Sequence, residues 1–219
     1  MKTAGKPTDE LVTPDEMLRG VFHALLGHYN LYASGWLHQD VSSGNVILLR
    51  VAEDRVDSST THITWKMLWM IIDGDRDVQW NNRDREISTE PCSGTLSYLS
   101  VRLIVAWSKN AAILHTAIDN LDSFLWVLLL SVLEKGITRF SGPLGQEQYL
   151  YDMFQEIYVY CIYQAKAIFL DVIQSLLGKK SWLPALHQLH PPFVKWNDLG
   201  MHYKTKITDL EILDVISGP

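Results

Sequence analysis

The chain has 219 residues, 47% of them hydrophobic, with a formal charge of −6 and a pI near 5.7. That length buries one substantial core, and the acidic balance without a Lys or Arg stripe excludes a general nucleic-acid binder, whose affinity rests on clustered cations facing phosphates. The longest strongly apolar, charge-free stretch, Ser123 to Leu133, is too short for a bilayer span of about 20 residues, and Met1-Lys2-Thr3 leads into polar residues instead of an apolar signal core. An intracellular chain is expected, cytoplasmic or nuclear, with no membrane partner. Cys92 and Cys161 are far apart and suggest neither a disulfide framework nor a zinc site.

Residues 1–12 read as a flexible N-terminus, and 13–219 as one globular unit. Thr13-Pro14-Asp15-Glu16 is a helix start, with Thr13 as N-cap, Pro14 at the first helical position and Glu16 placed for a capping box. The helix is predicted to run to about Ala33. Its apolar stripe is Leu18, Val21, Phe22, Leu25, Tyr29 and Tyr32, and Gly35 ends it. Val46 to Leu49 and Trp65 to Ile72 read as two strands around a polar connection from Glu53 to His62, with Ser58-Ser59-Thr60-Thr61 as a solvated hairpin extension. Gly74 to Ser93 reads as a mobile, turn-rich surface loop. Leu121 to Leu133 is apolar nearly all round, as in a helix buried on most faces. Further helices are predicted from about Gln146 to Leu177, with a break, and from about Lys206 to Val215. The fold class is mainly α (α+β): a helical bundle with a short β-hairpin.

The chemistry concentrates early. His38-Gln39-Asp40 is followed by Asn45 five positions after the aspartate, and Ile71-Ile72-Asp73 closes an apolar run. Phosphoryl transfer needs an acidic group beside the attacking hydroxyl and oxygen ligands that hold Mg²⁺ against phosphates. Asp40, Asn45 and Asp73 supply those groups at the spacing H-x-D-x-x-x-x-N with a later strand-end Asp.

These segments, followed by Ser93-Gly94-Thr95-Leu96-Ser97-Tyr98-Leu99-Ser100 and by His115 through Asp119-Asn120-Leu121-Asp122-Ser123-Phe124, occur in the order of a protein-kinase C-terminal lobe. The chain most closely resembles the fungal-type protein kinase family, with some similarity to casein kinases, over roughly residues 13–175. The resemblance implies a catalytic loop at 38–45, a metal-Asp segment at 71–75, an activation-type loop at 74–102 and a helical remainder at 119–219. It implies that Asp40 is the base for a substrate hydroxyl, with His38 in its loop. Asn45 and Asp73 would ligate Mg²⁺ and through it ATP, and Gly94 and Thr95 would end the activation segment, with the Thr95 hydroxyl able to bond Asp40. Asp119 to Ser123 would begin a central helix bracing the catalytic loop. Ser42 stands where many kinases place a Lys, as in the fungal-type family.

The departures carry equal weight. Gln39 replaces the Arg that pairs with a phosphorylated loop. Gly74 replaces an aromatic residue behind the metal-binding Asp. Arg102 replaces a Glu that normally forms an ion pair, and Asn120 replaces a bracing Asp. Only 37 residues precede His38, and no Gly-rich loop, strand Lys or partner helix Glu is found there. The resemblance therefore implies a truncated, catalytically impaired Ser/Thr protein phosphotransferase, a pseudokinase whose surface binds a protein or peptide partner; its oligomeric state stays open. The alternatives are an active protein kinase whose nucleotide lobe lies outside this sequence, and a small-molecule kinase of the aminoglycoside or choline type.

Other patterns read as structural. Asp73, Asp75, Asp77 and Asp84 alternate like a calcium loop, but Val78 stands where that loop needs Gly. His187 and His190 lack zinc-helix spacing. Tyr149, Tyr151, Phe154, Tyr158, Tyr160 and Tyr163 are expected mostly in core and interface packing on a helix.

Overall fold

Helix α1 spans Pro14–Ala33, as its start and stop signals require, and the backbone reverses at Gly35 with φ 89°. The computed structural model describes residues 5–7, 14–56, 64–80, 94–139, 146–155, 158–176, 191, 195 and 196. The N-cap at Thr13, the Ser58–Thr61 tract, Asp84, the pair His187 and His190, and the helix predicted from Lys206 lie outside these residues.

The buried face of α1 is not the predicted one. Met17, Gly20, Ala24 and His28 point inward, whereas Leu18, Phe22 and Tyr29 are 48%, 50% and 49% exposed. The reason is close approach: small residues at 20 and 24 let α1 lie against the central helix, with the His28 ring edge-on to Phe124 at 5.6 Å. Larger apolar side chains on the other side keep the same period, so periodicity alone selected the wrong stripe.

Strand β1 is Gly5–Pro7, β2 is Trp36–Leu37, β3 is Val46–Val56, β4 is Thr64–Ile71 and β5 is Val78–Gln79. They form two antiparallel sheets, β1-β3-β4 and β2-β5. Strand β3 continues through Glu53, Asp54 and Arg55, which the sequence placed in a connection. A register shift between Leu48 and Glu53 absorbs the mismatch and lets the polar end pair with Thr64–Met67. Of the loop predicted from Gly74 to Ser93, residues 74–80 are described and carry regular structure, while 81–93 lie outside the described residues. A 3-10 turn covers Gly74–Arg76, then β5 pairs back onto β2, and Trp80 stacks on Tyr32 at 4.6 Å and donates from its indole to the Tyr32 carbonyl.

The remainder is helical: α2 (Val101–Ser108), α3 (Ala117–Arg139), α4 (Gln146–Gln155) and α5 (Val159–Leu176), so the stretch predicted from Gln146 to Leu177 is two helices. Helix α3 is the core, with Phe124, Trp126, Val127, Leu129 and Leu133 buried. Each such side chain contributes about 1.5–3 kcal/mol relative to exposure. Phe154 and Phe169 close on Trp126 at 5.8 and 6.0 Å between ring centroids. Tyr149 on α4, Tyr158 just before α5 and Tyr160 on α5 do not join them: they are 59%, 64% and 65% exposed, contrary to the expected packing.

The described elements are thus mainly helical with small antiparallel sheets. Two compact units divide the chain, Met1–Phe169 and Leu170–Pro219. The first holds both sheets and most of the helices; of the second, the final turns of α5 and residues 191, 195 and 196 are described. Among the described residues no helix is long and apolar enough to cross a membrane.

Candidate active site

Gly35 turns the chain so that β2 delivers Leu37 and His38 to the interior, and the polar loop that follows is pinned at both ends. His38 is buried; its Nε2 donates to the Ile72 carbonyl at 2.9 Å and its Nδ1 accepts from the Asp40 amide at 3.2 Å. Nε2 carries a hydrogen in this arrangement, since a carbonyl oxygen can only accept. Asn45 donates through Nδ2 to the Asp40 carbonyl at 2.8 Å, which turns its side-chain oxygen away from the loop backbone. Its own carbonyl accepts from the Ile72 amide at 2.8 Å, extending the β3–β4 ladder by one step. The Asp40 backbone, Asn45 and the residue before Asp73 are thereby tied together.

Asp73 adopts the left-handed conformation at φ 67°, ψ 60°, and is exposed. A non-glycine residue there is strained by an order of 1 kcal/mol and persists only where its surroundings hold it; here the His38 grip on Ile72 and the Gly74–Arg76 turn do so. Gly94 and Thr95 also reach the loop. Thr95 donates to Asp40 Oδ1 from its amide at 2.9 Å and from its hydroxyl at 3.1 Å. Gly94 has φ +127°, and a Cβ there would meet Leu99 Cδ2 at 2.9 Å and the Gln39 carbonyl at 3.1 Å, so the approach depends on glycine. Ser43 and Tyr98 add a hydroxyl pair at 2.7 Å between the same two segments.

Sequence reasoning gave Arg102 no partner. In the structure it binds Asp119, which is wholly buried: Nε reaches Oδ1 at 3.1 Å and the guanidinium closes an ion pair on Oδ2. Ser100, which caps α2, donates to Oδ1 at 2.6 Å, and Thr116 donates to Oδ2 from its amide at 2.9 Å and its hydroxyl at 2.8 Å. Burial works against this carboxylate's charge, but the Arg102 guanidinium, His115 and the Ser100 hydroxyl outweigh it and hold its pKa below the usual value. The available signal was a lone acid one residue before Asn120.

Asn120 holds the loop that begins at His38 through an uncharged side chain. Its amide nitrogen donates to the His38 carbonyl and lies 2.9 Å from His28 Nε2, while its oxygen meets His115 Nε2 at 2.6 Å. Burial, with His38 and His115 nearby, lowers the pKa of His28 to about 4, so it is uncharged at neutral pH. The Asn120 amide is thus flanked by His115 and by an uncharged His28.

Asn45 and Asp73 are the residues whose oxygens could serve a magnesium ion. Mg²⁺ takes few protein oxygens and keeps waters and phosphates, and the Asn45 amide oxygen and the Asp73 carboxylate are of that type. Among the described residues no three His, Cys, Asp or Glu side chains lie close enough to enclose a metal. Asp77, passed over in the sequence except in the calcium-loop pattern, lies against Gly74; burial raises its pKa, His38 opposes the rise and Asp73 adds to it.

Two comparisons bear on identity. No curated protein matches the chain. The family model described as fungal protein kinase matches residues 1–132, more than half of the chain and the part that carries His38, Asp40, Asn45, Asp73, Gly94, Thr95, Arg102 and Asp119. The chain belongs to the fungal protein kinase family.

Proposed function

We propose that the described helices and hairpin form a kinase-like C-terminal lobe, built for phosphoryl transfer to a protein Ser or Thr hydroxyl but catalytically impaired in this chain, with a surviving role in binding a protein or peptide partner. The single observation that carries the phosphotransfer part is the double grip of Thr95 on Asp40 Oδ1. It leaves the other carboxylate oxygen to accept the proton of an incoming hydroxyl, and it joins the residue that would receive a substrate to the segment that would present it. Asn45, clamped to the Asp40 carbonyl, and Asp73, held left-handed, are the groups that would hold Mg²⁺. The ion would neutralise phosphate charge when bound.

The impairment rests on what surrounds these groups. Gly74 gives Asp73 no side chain to anchor the turn behind it, Gln39 offers no cation to a phosphorylated loop, and Asn120 braces without charge. Thermal unfolding with Mg²⁺ and ATP tests the reading, because a ligand bound only by the folded state raises the midpoint with concentration. No shift at millimolar nucleotide is expected. A shift that vanishes in Asp73→Ala would instead establish a working nucleotide site.

A further inference from the structure

A cavity of 330 Å³ lies between α1, β4 and the Gly74 turn, and Asp40 does not line it. Leu31, Met70 and Ile72 form an apolar wall. The polar groups at its rim are mostly committed: Ser34 Oγ donates to the Asn30 carbonyl at 2.8 Å, and both ring nitrogens of His38 are engaged with Ile72 and Asp40. Asp77 differs. Its Oδ1 is buried and accepts no hydrogen bond from the described residues. Its carboxylate occupies this place because residue 74 is glycine, since a Cβ there would fall 2.7 Å from Asp77 Oδ2. The charge of Asp73 adds negative potential at the same spot.

A half-desolvated carboxylate beside an apolar wall is stabilised by a cation that brings its own hydrocarbon. We propose that this cavity binds a small monocationic amine with an apolar body, its ammonium against Asp77 and its hydrocarbon against Leu31, Met70 and Ile72. A space of 330 Å³ has room for a ligand of roughly ten non-hydrogen atoms, such as an arylalkylamine, while the carboxylate disfavours a nucleotide by charge. The inference stands apart from the phosphotransfer reading and would survive its failure.

The test uses the full chain and two isosteric probes, 2-phenylethylamine and 2-phenylethanol, followed by saturation-transfer NMR and calorimetry at neutral pH. The amine is expected to bind with a submillimolar Kd and the alcohol roughly tenfold more weakly. Asp77→Asn should bring the amine down to the level of the alcohol. Gly27→Leu, which fills the cavity from α1 with a better helix former, should abolish both while circular dichroism stays unchanged. Equal affinity of the two probes, an amine affinity untouched by Asp77→Asn, binding retained in Gly27→Leu, or no binding of either probe at millimolar concentration would each overturn the proposal.

Discussion

Arg102, at the start of α2, and Asp119, at the start of α3, form an ion pair around a carboxylate with no solvent exposure. Two helix starts are thereby fastened to each other, and Ser100 caps one of them while donating to the same carboxylate. Arg102→Ala is expected to destabilise the chain by about 3–5 kcal/mol, because it strands a buried charge. The double variant Arg102→Met with Asp119→Leu should recover much of that loss, as measured by urea midpoints. A loss under 1 kcal/mol in Arg102→Ala would show that the pair is solvated.

Stability should fall in two separate stages on acidification. His28 has a folded value near 4 against an ordinary 6.5, so the unfolded chain takes up the proton first. Its contribution, on the order of 3 kcal/mol, is complete above pH 6.5 and is lost as pH falls toward 4. Asp119, whose folded value is depressed below 3.8, contributes above that pH and loses its contribution below it. Urea midpoints taken across pH should show both stages, and His28→Gln should remove the upper one alone.

Gly94→Ala should cost about 1–3 kcal/mol and loosen the grip on Asp40, since the new Cβ meets Leu99 and the Gln39 carbonyl at a left-handed backbone angle. Hydrogen exchange at the Thr95 amide reads the second effect directly. Protection unchanged from the parent would contradict it.

Asn120→Asp places a negative charge between His28 and His115 and removes the donor that holds the His38 carbonyl. The imidazoles should then titrate at higher pH, followed by NMR of their ring protons, with a loss of stability of about 1–3 kcal/mol at neutral pH. Unmoved titrations would mean that the amide is not their main neighbour.

Much of the candidate site was legible in the sequence because its spacing is local: Asp40 and Asn45 share one loop, and Asp73 ends a strand that pairs beside it. The α1 boundaries were legible for a similar reason, since caps and glycine act within a few residues. What escaped depends on partners far along the chain. Arg102 needed Asp119, and the exposed stripe of Leu18, Phe22 and Tyr29 could not be told from a core stripe until Gly20 and Ala24 met α3. Strand β3 outran its apolar run because pairing with β4 satisfies backbone groups whatever the side chains are.

Lys166 draws the C-terminal helices into this account. It is fully buried on α5, lies 4.2 Å from the Trp126 ring centroid, and donates to the Leu99 carbonyl just before the cap of α2. Leu99 in turn is the side chain that a Cβ at Gly94 would strike. A fragment cut at residue 132, where the family match stops, would therefore keep every motif and lose the strut beneath them.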